Sequence, residues 1–60
     1  MDNEDLHEQI KLAYNLYLKE NDKFESGVKA SAVRARQALH DLKLLIVERR
    51  KEIQEKKNDM

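Results

Sequence analysis

Lys29, Arg36, Lys43, Arg50 and Lys57 recur every seven residues through the second half of this chain. On an α-helix that interval returns each base to one flank. Such a row has two natural uses. It contacts a polyanion such as a phosphate backbone, or it pairs with acids on a neighbouring helix, as charges beside a coiled-coil seam commonly do. No other chemistry is offered. His7 and His40 lie far apart with no paired-ligand spacing, and there is no cysteine, so no metal site is expected. Ser26 and Ser31 have no base at a recognisable spacing, and a single glycine rules out a phosphate-cradling glycine loop. The acids have nothing to enclose a pair of them away from water. Neither catalysis nor a cofactor nor a small-molecule substrate is expected.

The elements that position the row are helices. Val28, Ala32, Ala35, Leu39, Leu42, Ile46 and Ile53 alternate three and four residues apart, a spacing that returns to one side of a helix and fits no strand. Placing Ala32, Leu39, Ile46 and Ile53 at a and Val28, Ala35, Leu42 and Arg49 at d puts the basic row at e. In the first half, Asp2 or Asn3 is the expected N-cap, with Glu4, Asp5 and Glu8 favourable in the opening turns. Leu6, Ile10, Ala13, Tyr17 and Phe24 share one face, Leu12 and Leu16 a second, and Leu18 a third. A helix apolar most of the way round is buried by more than one neighbour. Glu25-Ser26-Gly27 is the one turn signal, with Gly27 suited to a left-handed C-cap and Ser26 able to cap the next helix. A connection so short makes the helices antiparallel neighbours. The predicted architecture is all-α: an antiparallel two-helix hairpin, about residues 3–24 and 28–57, within a single domain covering residues 1–60.

Composition sets the scale. Sixty residues make a small domain, which buries only ~60% of its unfolded surface and is marginal alone. Without disulfides, self-association is the expected extra source of burial, as a homodimer or tetramer forming a helical bundle. Leu12, Leu16, Leu18 and Ile53 are the expected interface residues. Charged residues make up 40% of the chain and aromatics 5%, which fits long solvated helices. The longest apolar run, residues 44–47, is far short of the ~20 residues of a membrane span. No membrane association is expected, and the acidic, polar start of the chain fits neither a secretory signal nor a basic transit peptide, which leaves a cytoplasmic setting as the default expectation.

The zero net charge conceals an asymmetry. Residues 1–26 carry seven acids against three lysines, while residues 27–60 carry nine bases against five acids. Intramolecular pairing explains part of this, yet the first helix has no acid between Glu8 and Glu20. Arg36 and Lys43 therefore lack evident partners within a hairpin. Arg34 and Arg36 lie among Ala30, Ala32 and Ala35, whose small side chains permit close approach of a phosphate. The second helix, ~45 Å long against ~33 Å for the first, should outrun its partner near Arg49. Residues 49–57 then form a basic helical extension, with a Glu52–Lys56 pair supporting it.

The run F-E-S-G-V-K-A-S-A-V-R-A-R-Q-A-L-H-D-L-K, followed by R-R-K-E-I-Q-E-K-K, resembles the bacterial linker-histone-like proteins of the chlamydial type. The shared pattern comprises Phe24, Gly27, Lys29, Ala30, Arg34-x-Arg36, Leu39, Leu42-Lys43 and residues 50–57. Two departures stand out: Val28 follows the turn glycine where the family tends to have asparagine, and the chain would be a short form without the Lys/Ala/Pro-rich tail. The resemblance implies a nucleoid-associated protein that contacts the DNA backbone with little sequence preference. With the row, it marks Lys29, Arg34, Arg36, Lys43, Arg49, Arg50, Lys51, Lys56 and Lys57 as candidate DNA-binding residues. The alternative from the residues alone is a non-catalytic, oligomerising helical scaffold without DNA binding.

Overall fold

A computed structural model describes residues 5–60 as two antiparallel helices, α1 (Leu6–Glu25) and α2 (Ala30–Asn58). The expected Asp2, Asn3 and Glu4 contributions to the first turn lie outside the described residues. Asp5 is the observed N-cap, its Oδ1 accepting from the backbone N–H of His7 at 3.0 Å. The helix therefore opens later than the acidic run suggested, because Asp5 is the carboxylate that reaches an unpaired amide of the first turn.

The turn is a Schellman motif. The Gly27 N–H donates to the Phe24 carbonyl and the Val28 N–H to the Lys23 carbonyl, both at 3.0 Å. Gly27 has φ of 108°, a conformation that side chains disfavour. Ser26 does not cap α2, as its position had suggested. Its Oγ donates to the Lys23 carbonyl at 2.8 Å, so it closes α1 instead. Lys29 occupies the N-cap position of α2 in a helical conformation, with no side-chain cap.

The helices meet along a seam rotated by one residue from the predicted a column. Ser31, Ala35 and Ala38 are buried, and Leu42, Leu45, Arg49 and Glu52 continue the same line half-buried. Val28, Leu39, Ile46 and Ile53, expected on the buried stripe, are exposed on its flank. The reason is size. Ser31 and Ala38, exposed by 0% and 1%, let the backbones approach where leucine or isoleucine would hold them apart. On α1 the expected face of Leu6, Ile10, Ala13 and Tyr17 is the half-buried one, joined by Glu20, whereas Phe24, expected on the same face, is exposed in the last turn before the connection.

Glu20 is an acid only 4% exposed. Arg34 Nε donates to its Oε1 at 2.9 Å and Arg34 Nη2 donates to Ser31 Oγ at 3.3 Å. A buried carboxylate is tolerated when its charge is met in this way. The Arg34 hydrogen bond holds the Glu20 carboxyl below its ordinary 4.5; desolvation opposes this, and the Ser31 hydrogen bond and the charges of Arg34 and Lys23 assist it.

Counting along both helices from the Glu20–Arg34 contact brings Leu6 level with about Glu48. Residues 49–58 of α2 thus lie beyond the level of Leu6, the first residue of α1. In that stretch Glu52 pairs with Arg49, one turn back, rather than with Lys56.

Two outcomes follow from the seam. Ala38→Leu overpacks a fully buried position of the seam and should lower the stability by about 1–3 kcal/mol in denaturant melts. Because the Glu20 pKa is depressed on folding, its contribution is complete above the ordinary 4.5 and is lost as pH falls through the lowered folded value. The melting-temperature gap between wild type and Glu20→Gln should accordingly narrow on acidification from about pH 5 to about pH 3; a gap that stays constant would contradict the coupling.

Candidate nucleic-acid interface

The basic row stands clear of the hairpin seam. Lys29, Arg36, Lys43, Arg50 and Lys57 are all exposed, and none forms an ion pair among the described residues. The one-residue rotation of the seam is what places them there. At ~100° per residue, the row lies about 100° or more from the α1-facing line of Ala35, Leu42 and Arg49.

The other candidate bases divide differently. Arg34 is tied to Glu20, Arg49 to Glu52, and Lys51 lies 3.6 Å from Glu48. Lys56 has no ion pair among the described residues and is exposed. Arg34 and Arg36, adjacent in sequence and read as one cluster, project to opposite sides of α2, since two residues turn a helix by ~200°. Arg34 belongs to the clasp between the helices and Arg36 to the row.

The two flanks of α2 differ in charge. Gln9, Leu12 and Ala13 of α1 line an open groove with Asp41, Leu44 and Leu45 of α2, so these residues share one side. Asp41, Glu48 and Glu55 follow one another at seven-residue intervals along that side. Helical geometry sets the basic row on the opposite flank, beside Leu39 and Ile46. The acidic row was not singled out from the sequence, although its period is as regular as that of the bases. Leu12 and Leu16 project on the groove side and Leu18 on the ladder side, while Ile53 lies past the start of α1; all four are exposed. They do not form one patch.

Among the described residues no cluster of acids and histidines is arranged to hold a metal ion. Nor is any helix there long and apolar enough to cross a membrane. No curated protein matches the chain and no solved structure does. A family model does match, that of Histone H1-like protein Hc1, over residues 4–59. With nearly the whole sequence matched and both helices included, the chain belongs to the Histone H1-like protein Hc1 family.

Proposed function

We propose that this hairpin is an architectural, nucleoid-associated DNA-binding protein that contacts the duplex backbone with little sequence preference. One observation carries the reading: five bases at seven-residue intervals, from the N-cap Lys29 along α2 to Lys57, each exposed and without an ion pair among the described residues. A row of cations left unneutralised by its own fold is a surface complementary to a polyanion. Membership of a histone H1-like family supports the same reading.

The dimensions suit a duplex. Successive rungs are ~10.5 Å apart and the row spans ~42 Å, about 12 base-pair steps at ~3.4 Å each. A straight helix follows a curved phosphate path over only part of that length, so positioning rather than base reading is the expected mode. Lys29, Arg36, Lys43, Arg50 and Lys57 are the principal contacts, with Lys56 free to assist. Residues 49–57 act as a basic helical extension. Arg34, Arg49 and Lys51 contribute to the positive potential while held by their acid partners.

Self-association completes the reading. Leu12, Leu16, Leu18 and Ile53 are exposed, and Leu12 by 68%. Leu12 and Leu16 on the groove side and Leu18 on the ladder side offer separate apolar contacts to further copies of the chain. The scaffold alternative draws on the same residues; the behaviour of the basic row separates the two readings.

Binding to duplex DNA should weaken steeply with salt, with a slope of log K against log salt near −4.5 if all five rungs engage. Lys43→Gln should reduce the magnitude of that slope by about 0.9. Arg36→Glu with Lys43→Glu should abolish binding while circular dichroism stays helical; intact affinity with a lowered melting temperature would instead identify the row as a pairing surface. For assembly, Leu12→Glu with Leu16→Glu should reduce the sedimentation mass, and an unchanged mass would exclude these residues from the contact.

A further inference from the structure

We propose that copies of this hairpin stack in one direction, the acidic row Asp41, Glu48 and Glu55 of one copy lying on the basic row of the next. The occupant of each face is thus a second copy of this chain. Both rows belong to α2, share a seven-residue period and lie on opposite flanks of the seam. They are complementary to each other but not to themselves.

Symmetric pairing fails on charge. Two groove faces brought together with α2 against α2 set acids on acids, and two ladder faces set bases on bases, an arrangement that costs several kcal/mol in a contact. Pairing α2 of one copy against α1 of another does no better. The ladder rungs Arg36 and Lys43 would meet the middle of α1, which has no acid between Glu8 and Glu20. On the groove face, Asp41 and Glu48 lie level with residues between about Leu6 and Ala13, where the one base is Lys11, already 3.6 Å from Glu8.

A directional stack resolves both problems. With α2 helices parallel, Lys43, Arg50 and Lys57 stand two residues beyond Asp41, Glu48 and Glu55, so an axial shift of ~3 Å aligns three opposite-charge pairs, Glu48 being shared between Arg50 of the next copy and its own Lys51. Nearer the turn, Arg36 meets the Glu20–Arg34 pair, whose charges already cancel. Apolar side chains lie between the rows on both faces, Leu12, Leu16 and Leu44 on one and Leu18, Leu39 and Ile46 on the other. A two-fold contact covers a single face, whereas a directional contact covers both. Because its two patches differ, it leaves a free copy of each at the ends and generates an open assembly rather than a closed one. The stack uses the surface proposed above for DNA, yet its formation does not depend on that reading, and its test contains no DNA.

Sedimentation of the purified chain should give a weight-average mass that rises with concentration without a plateau and falls as salt is added. A concentration-independent dimer or tetramer overturns the proposal. Charge exchange supplies the second arm. Asp41→Lys/Glu48→Lys/Glu55→Lys and Lys43→Glu/Arg50→Glu/Lys57→Glu should each associate at least tenfold more weakly alone, and an equimolar mixture should assemble again. Association of either variant alone at wild-type strength, or no assembly from two helical variants when mixed, overturns it. If an exchanged variant does not fold, Asp41→Asn/Glu48→Gln/Glu55→Gln should show the same loss, and retained wild-type assembly by that helical variant overturns the proposal. A wild-type chain that stacks yet binds no duplex DNA at low salt would leave the stack standing and refute the DNA reading alone.

Discussion

The structure depends on the close approach of α1 and α2 beside the turn, where Glu20 is clasped by Arg34 and Ser31. Small side chains make the approach possible: Ser31, Ala35 and Ala38 place almost nothing between the helices. Closeness in turn encloses the Glu20 carboxylate, which is stable there only with its charge met. Sliding α2 by a residue would leave that carboxylate unpaired, and rotating it would put Ala32 or Leu39 into the gap. The clasp therefore selects one axial register and one rotation together, and the Schellman turn at Gly27 delivers the chain into both.

The rotation has a consequence for the rest of α2. With Ser31, Ala35, Ala38, Leu42 and Leu45 against α1, the neighbouring column of Leu39, Ile46 and Ile53 is left on an exposed flank. The bases beyond that column then point away from the hairpin, and the acids Asp41, Glu48 and Glu55 fall on the other side. One long helix thus presents an apolar seam, a basic flank and an acidic flank. A molecule 48 × 19 × 13 Å, only two helices wide, has little interior in which to bury the remaining apolar surface. What a larger domain conceals in its core is here available for association.

Much of this was legible from local pattern. The two helices, the single turn and the left-handed glycine follow from spacing and from the chain's one Gly, and the face of α1 containing Leu6, Ile10, Ala13 and Tyr17 was readable because it gathers more apolar residues than the faces of Leu12 and Leu16 or of Leu18. Asp5, rather than an earlier residue, as the cap of α1 was less legible, since several acids and an asparagine crowd the start and each is a plausible cap. The pairing of Glu52 with Arg49 rather than with Lys56 is of the same kind, because both bases lie within one helical turn of the acid.

Spacing along the chain alone determines that five bases share one flank of a helix, since a seven-residue interval is a local property of that helix. It does not determine where the flank faces. Beside the shared line of Ala35 and Leu42, two adjacent columns of α2 have helical periodicity, one containing Leu39, Ile46 and Ile53 and one containing Ser31, Ala38 and Leu45, and ~100° separates them. Hydrophobicity favours the first column, but the fold buries the second. Its small residues admit a closer approach, and its neighbour Arg34 meets a carboxylate fourteen residues away on α1. That contact exists only once the helices are side by side, and it is what turns the basic row outward.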